Sequence, residues 1–257
     1  MVCLCTIPFI IGIIVIIKYI FKILDFIRKH ILPTKNNLKE KYGDGYAIIT
    51  GGSRGIGLSF VKEFLKYNFK ICIISSKKER QEKVRKDLLD LYPNSIIKII
   101  DFNLNQFYNE ETIKKLEERI NSELNGEEIS ILLNNAGVAH DGKFDSIPYN
   151  YITNLINVNI YGLTILTKII IEYMKKRKNK SLIIGSGSFD GQFRCANRVL
   201  YCSTKSYVEA FYEGLTRDFS DKFDFTLIEI GPVKTDMNKK NYPFMCTPDE
   251  FASECIN

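Results

Sequence analysis

The chain has 257 residues, 45% of them hydrophobic and 26% charged, which suits one large α/β domain and excludes wholesale disorder. Its net charge of +6 comes from Lys and Arg that are spread along the chain and partly balanced by acidic residues, so we expect no nucleic-acid binding. Two histidines, and seven cysteines without paired-ligand spacing, argue against a His-based metal site or a Ser-His-Asp triad and favour reduced, cytosolic thiols.

The N-terminal segment is strongly apolar and predicts a membrane anchor. No charge precedes Lys18, and the run Ile7–Ile27 has the roughly 20 residues that a bilayer-spanning helix needs. A cleaved signal peptide would begin with positive charge and end at small residues, and a buried core helix would not be apolar on every face. Basic residues follow the apolar core, so its C-terminal side is predicted to face the cytosol. We therefore predict an anchor over residues 1–32, a polar linker over 33–44 and a folded domain over 45–257.

From Tyr46 onward, short apolar runs alternate with amphipathic segments of helix length. Strict alternation of β and α elements predicts a parallel sheet with helices on both faces, which is a Rossmann-like doubly wound α/β fold. The predicted strands are Tyr46–Thr50, Lys70–Ser75, Ile96–Asp101, Ile129–Asn134, Ser181–Ile184 and Phe225–Ile230.

A glycine-rich turn follows the first predicted strand and opens a helix. In this context glycines let the backbone approach a pyrophosphate, which then lies at the helix N-terminus. The alternative is a flexible strand–helix turn without a ligand. The residues that we expect to contact a dinucleotide here are Gly51, Ser53, Arg54, Gly55, Ile56 and Gly57.

The residues after the second predicted strand favour NADPH over NADH. An NAD-binding unit places a carboxylate there for the ribose hydroxyls, whereas this chain has Ser76 and Lys77. Serine and lysine can bind a 2′-phosphate, and Arg54 in the glycine-rich turn adds a second cation. Asp101, at the end of the third strand, is predicted to contact the adenine.

Tyr201 and Lys205 are four residues apart, so they lie on one face of a predicted helix. A free phenol has a pKa of about 10 and a free ammonium about 10.4, so neither is a general acid or base at neutral pH unaided. A nearby ammonium favours the phenolate and lowers the pKa of the tyrosine. The pair alone is weak evidence, because this spacing occurs by chance on many helices.

Together the motifs resemble those of the short-chain dehydrogenase/reductase superfamily, from about Tyr46 to Met237. They occur in the family's order: Thr50-Gly51-Gly52-Ser53-Arg54-Gly55-Ile56-Gly57, Asn134-Asn135-Ala136-Gly137, Asn157-Val158-Asn159, Ser188, Tyr201-x-x-x-Lys205 and Gly231-Pro232-Val233-Lys234-Thr235.

The resemblance implies a role for each matching residue. Tyr201 is implied as the general acid, Lys205 as the residue that lowers its pKa and binds the nicotinamide ribose, and Ser188 as the binder of the substrate oxygen. Ser186 is the alternative to Ser188, because two serines lie close together. Asn159 is implied to anchor a water of the proton relay. The cofactor's adenosine side is implied to meet Asn135, Ala136 and Gly137, and its nicotinamide amide to meet Val233 and Thr235.

The anchor, Asp101-Phe102 and Pro248-Asp249-Glu250-Phe251 resemble the membrane-bound very-long-chain 3-oxoacyl-CoA reductases and the related 17β-hydroxysteroid dehydrogenases. This implies reduction of a lipid ketone at the endoplasmic reticulum membrane, on its cytosolic face. The alternatives are a 3-ketodihydrosphingosine reductase and a catalytically silent NADP-binding scaffold. Homodimers, common in the family, are possible here. The family continues into a further strand after the helix near Thr247, so we expect either that the sequence is incomplete or that one sheet edge lacks that strand.

Overall fold

The computed structural model describes residues 12–13, 15–21, 23–24, 38–106, 108–238 and 245–256. The chain divides into two units, residues 1–36 with 257, and residues 37–256. In the first unit the described residues are helical, and most of their apolar side chains are exposed. The rest of the predicted anchor (1–32), and the predicted linker up to residue 37, lie outside the described residues.

The second unit is built on a parallel sheet, which confirms the predicted fold class. Within the described residues the sheet has six strands in the order β3-β2-β1-β4-β5-β6, so β3 and β6 are its edges. All neighbouring strands run parallel. The strands are β1 (Tyr46–Thr50), β2 (Lys70–Ser75), β3 (Ile97–Asp101), β4 (Ile129–Asn134), β5 (Ser181–Ser186) and β6 (Phe223–Ile228).

Helices cover both faces of the sheet, which is why the central strands are apolar at successive positions rather than at alternate ones. Successive side chains of β1 belong to different cores, since Ile48 packs in one cluster and Ile49 in the other. The helices are α1 (Leu38–Tyr42), α2 (Gly55–Lys66), α3 (Lys78–Leu91), α4 (Glu110–Leu124), α5 (Tyr149–Ile156), α6 (Leu163–Met174), α7 (Phe189–Phe193), α8 (Val199–Phe219) and α9 (Pro248–Ile256).

The predicted strand boundaries are confirmed for β1, β2 and β4, whereas β3 begins one residue later than predicted. Strand β5 runs two residues further, to Ser186, and β6 lies two residues earlier than predicted. The shift of β6 has a packing cause: Phe223 is buried, pairs with Ser181 and packs against Phe219. Ile230, which the sequence pattern assigned to the strand, lies in the wall of a cleft.

Helix α1 falls in the segment predicted as a polar linker, yet it packs on the domain. Leu38 and Tyr42 are buried in one of the two cores. The Tyr42 hydroxyl donates to Asp224 Oδ2 at 2.9 Å, and the Tyr42 carbonyl accepts from Arg177 Nη2 at 2.6 Å. The folded domain therefore begins before residue 45.

A long helical run, Tyr149–Met174, is interrupted by a π-helical turn. Residues Asn157–Gly162 form a π-helical turn between α5 and α6, and such turns are frequent at functional sites. Among the described residues, Tyr149–Met174 is the one helix long and apolar enough to span a membrane. Because more than half of its most apolar stretch is buried inside the domain, we interpret it as a core helix.

Candidate active site

A cleft of about 1140 Å³ lies at the carboxyl ends of the strands. It sits where the strand order reverses between β1 and β4, the usual ligand position in doubly wound sheets. Its volume lies just above the ~300–1,000 Å³ of most small-molecule sites. Among the predicted site residues, its wall contains Gly51, Ser53, Arg54, Gly55, Ile56, Ser76, Lys77, Asn135, Ala136, Gly137, Ser188, Tyr201, Lys205, Val233 and Thr235.

The glycine-rich turn needs glycine for two separate reasons. Gly51 and Gly55 have φ of +67° and +53°, in the left-handed region that other residues rarely adopt. A Cβ on Gly57 would lie 2.5 Å from the Gly51 carbonyl oxygen and from Asn135 Nδ2. Gly57 is therefore a packing glycine that lets α2 approach the turn, and it lies outside the cleft wall.

Thr50 joins the turn to the segment that follows β4, a role that the sequence analysis missed. Its hydroxyl oxygen accepts from the backbone N–H of Asn135 and from that of Ala136, each at 2.9 Å. Asn135 Nδ2 donates in return to the Thr50 carbonyl at 3.0 Å. These bonds hold two walls of the cleft together, and they arise from side chains about 85 residues apart in sequence.

Basic side chains gather at one end of the cleft. Lys77 lines this end as predicted, and Arg80 from α3 joins it. Arg54 also lines the cleft, where its Nη1 lies 3.6 Å from Asp236 Oδ2. Asp101, which was predicted to contact an adenine, has an exposed side chain outside the cleft wall. The residues that follow β3, Phe102 to Asn105, line the cleft at that position instead.

At the other end of the cleft, the Lys205 ammonium is buried. Its Nζ donates to the carbonyl of Ser186 at 2.7 Å, and burial lowers the pKa of Lys205 to about 8, although Glu229 partly opposes this. Ser186, the alternative to Ser188, thus meets Lys205 through its backbone.

Asn159 lies outside the cleft wall, underneath it in the π-helical turn. Its Oδ1 accepts from Val138 N at 2.9 Å, and its Nδ2 donates to Val138 O at 2.9 Å and to Thr204 Oγ1 at 3.0 Å. A Cβ on Gly137 would lie 3.5 Å from Asn159 Oδ1 and 3.8 Å from Lys205 Nζ. The asparagine therefore fixes the floor of the site beside the lysine.

Tyr201 lies against Ser188 at the inner end of the cleft. Burial raises the pKa of Tyr201, while a hydrogen bond with Ser188 and the charge of Arg198 act to lower it. Lys205 Nζ is 5.7 Å from the Tyr201 ring centroid. A second cation lies nearer to the ring: the guanidinium carbon of Arg198, which the sequence analysis missed, is 4.7 Å from the centroid.

Ser188 begins α7, where its hydroxyl accepts from Asp190 N at 3.3 Å. On the opposite wall, Val233 is buried and bridges to Cys246, and the hydroxyl of Thr235 accepts from Asn238 N at 3.3 Å. Both predicted residues of the last motif therefore line the cleft, at the position where β6 ends.

An apolar rim surrounds the mouth of the cleft. It consists of Phe189 and Phe193, whose rings make an edge contact at 6.3 Å, and Met237 from the opposite wall. All three side chains are about half or more exposed. Exposed apolar groups at the edge of a polar cleft are typical of a binding surface for an apolar ligand.

The comparisons with known proteins agree with this fold. The short chain dehydrogenase family matches residues 45–245. The very-long-chain 3-oxoacyl-CoA reductase-A of Danio rerio is 30% identical over 247 residues, which cover 93% of this chain and 74% of that one. A Caenorhabditis elegans protein named provisionally as a steroid dehydrogenase is 30% identical over 233 residues, covering 86% and 70%.

Solved structures share the fold. A short chain dehydrogenase from Shigella flexneri superposes with a TM-score of 0.77 at 17% identity, covering 87% of each chain. A Sphingobium yanoikuyae short-chain dehydrogenase in complex with NADPH superposes with a TM-score of 0.70 at 22% identity, covering 81% of this chain and 82% of that one. The fold and the cleft define an oxidoreductase of the dinucleotide-binding type. The chain belongs to the short-chain dehydrogenase family.

Proposed function

We propose that this protein is an NADPH-dependent reductase of a lipid ketone, and that its substrate is a 3-oxoacyl-CoA, reduced to the 3-hydroxyacyl-CoA of fatty-acid elongation. One observation carries the proposal: a single cleft has cations at one end, Tyr201 with Ser188 and Lys205 at the other, and an apolar rim at the mouth. The relatives named as very-long-chain 3-oxoacyl-CoA reductases support the substrate class.

The residues present fit a dinucleotide. The turn brings backbone close to the cleft at Gly51 and Gly55, where the positive φ requires glycine. Because glycine has no side chain, nothing at these positions blocks a pyrophosphate. Ser76, Lys77 and Arg80 form a cationic and hydroxylic edge that suits a 2′-phosphate, and a carboxylate that would repel it is absent from these lining positions. When bound, NADPH supplies the hydride that the carbonyl carbon receives.

The chain's own residues handle the oxygen and its proton. Ser188 and Tyr201 bind the carbonyl oxygen, and the Tyr201 hydroxyl gives its proton to that oxygen as the alcohol forms. Lys205, held by the Ser186 carbonyl, stabilises the phenolate that remains. Asn159 and Val138 fix the wall beside Lys205, where we place the water that returns the proton.

The exposed aromatic rim supports a long apolar substrate over a small polar ketone. A 17-ketosteroid is an alternative occupant of the same rim, supported by the relative from Caenorhabditis elegans, and 3-ketodihydrosphingosine is another. A catalytically silent NADP-binding scaffold is the alternative of another class. The buried Lys205 in the same site as Ser188 and Tyr201 argues against it. A buried charge costs stability, so a protein without the reaction would gain nothing from keeping it.

The N-terminal segment suits such a substrate, because an enzyme tethered to a bilayer meets lipids where they partition. We place residues 1–32 in the endoplasmic reticulum membrane and the catalytic domain in the cytosol. Support comes from the helical, outward-facing apolar residues that the structure describes between residues 12 and 24. We also propose that two copies of the chain form a homodimer, as the family resemblance implies.

The test follows NADPH oxidation by the full-length protein in detergent, with three ketones side by side: a long-chain 3-oxoacyl-CoA, a 17-ketosteroid and 3-ketodihydrosphingosine. We expect turnover of the acyl-CoA with NADPH well above that with NADH. Tyr201→Phe should reduce kcat at least ~10²-fold, the usual contribution of a general acid, with the Kd for NADPH little changed.

Tyr149→Phe is the matched control, because that exposed phenol lies outside the cleft wall and should keep wild-type turnover. Near-normal turnover by Tyr201→Phe would contradict the assigned acid. NADPH binding without turnover of any of the three ketones would favour the silent scaffold.

A further inference from the structure

Arg198 is held in place beside Tyr201 from two sides. It immediately precedes α8, and its guanidinium carbon lies 4.7 Å from the centroid of the Tyr201 ring. Its Nε is 2.7 Å from Asp141 Oδ1, and its Nη1 forms an ion pair with Asp190 Oδ2. The side chain is 29% exposed, so solvent screens these charges only in part.

This arrangement leaves the arginine poorly suited to capture an anionic ligand. Two carboxylates, those of Asp141 and Asp190, already pair with its Nε and Nη1, so an anionic ligand would have to compete with both. The guanidinium carbon also lies over the ring of Tyr201, where a cation is attracted by the π-electrons. The guanidinium therefore contacts the ring of Tyr201 as well as two carboxylates.

We propose that Arg198 is a positioning residue of the proton-transfer site: Asp141 and Asp190 hold its guanidinium against the ring of Tyr201, where its charge stabilises the phenolate left after proton donation. The inference rests on the proposed role of Tyr201 as proton donor. It gives the site a second cation in addition to Lys205, carried by the segment between α7 and α8.

Other groups face the same phenol and set its balance of charge. Burial has the largest effect and raises the pKa of Tyr201; Ser188 and Arg198 lower the pKa, and Asp190 and Cys202 raise it. Lys205 Nζ lies 5.7 Å from the centroid of the same ring, and Glu229 acts on Lys205. Arg198 and Asp190 therefore act on Tyr201 with opposite signs, although they form one ion pair.

The opposite signs provide the experiment. We would measure kcat/KM against pH for NADP⁺-dependent oxidation of a long-chain 3-hydroxyacyl-CoA, in which the phenolate of Tyr201 accepts the proton and the rate rises through its pKa. Arg198→Met should move the midpoint up by about one pH unit, the low end of the effect of a charge within ~4–6 Å. Asp190→Asn should move it down, and Arg198→Lys should stay near the wild-type midpoint.

Arg194→Met is the matched control, since Arg194 is exposed in the same segment, and it should keep the wild-type profile. If Arg198→Met does not fold, the pair Asp190→Asn and Arg198→Lys still decides. Direct ¹³C NMR titration of ζ-labelled tyrosine, with Tyr201→Phe to assign the signal, gives the same midpoints whether or not this alcohol is turned over.

Each outcome has one meaning. Midpoints that move in opposite directions support the inference. Midpoints that stay at the wild-type value, or variants that lose rate equally at every pH, overturn it and leave Arg198 a structural residue. Failure of the proposed function shows separately, as normal turnover by Tyr201→Phe.

Discussion

Lys205 carries a positive charge into a part of the domain that solvent hardly reaches, with 7% of the residue exposed. Burial lowers its pKa from 10.5 to about 8. Between these two values the unfolded chain keeps a proton that the folded chain has released. Stability therefore rises with pH across this window, and below pH 8 the folded protein carries the full cost of the buried charge.

The first prediction concerns this cost, measured on a chain that begins at residue 37. As the pH rises from 8 to 10.5, the free energy of unfolding of the wild type should gain up to about 3 kcal/mol relative to Lys205→Met. Urea denaturation at several pH values measures the difference. Lys114→Met, at an exposed position, should follow the wild type, and parallel curves for Lys205→Met would contradict a buried charge.

Most of the site could be read from single residues in the sequence, but its electrostatics could not. The spacing and residue types of Tyr201, Lys205 and Ser188 are enough to predict their chemistry from the sequence. Arg198 has no such pattern, because its importance comes from carboxylates on two other segments. Asp101 shows the reverse error, since a strand end places a residue near a cleft without fixing where its side chain points.

At the scale of elements, the apolar runs predicted the central strands well because both faces of the sheet are covered. The predicted bounds of edge strand β6 were two residues too late, because its partly exposed positions weaken the apolar pattern on which the prediction relies. Helix α1 was missed for another reason. Five residues are too few to show a helical period, and its order comes from contacts with Asp224 and Arg177 that only the fold supplies.

The second prediction concerns α1. A chain that begins at residue 45 should lose at least about 3 kcal/mol of unfolding free energy relative to one that begins at residue 37. It loses the buried side chains of Leu38 and Tyr42, and it leaves the buried Arg177 without the Tyr42 carbonyl.

Urea denaturation of the two chains measures this loss. Tyr42→Phe in the longer chain is the matched control, and it should cost only about 1 kcal/mol because it removes one hydrogen bond to Asp224. Equal stability of the two chains would mean that α1 contributes nothing to the domain.

At the scale of the whole molecule, the division near residue 36 separates an apolar segment from a unit with its own core and its own cleft. Membrane attachment and cofactor binding should then be separable. The division also explains why composition alone reads as ordinary: an average over the chain hides an apolar N-terminus behind a charged domain.

The third prediction tests this separation by flotation with phosphatidylcholine vesicles. The full-length chain should float with the vesicles, and the chain that begins at residue 37 should remain at the bottom of the gradient. Both should bind NADPH with the same Kd. Flotation of the shorter chain would place the membrane contact on the catalytic domain instead.

Helix α7 has a consequence for how such an enzyme changes over evolutionary time. Its inward residues are constrained, since Ser188 meets Tyr201 and a Cβ on Gly191 would lie 3.0 Å from Lys205 Cβ. Its outward residues, Phe189 and Phe193, are 46% and 75% exposed, and exchanges at such positions usually alter stability by less than ~0.5 kcal/mol. Substitutions at Phe189 and Phe193 can therefore change the apolar rim at little cost in stability, while the inward side of the same helical turn tolerates few changes.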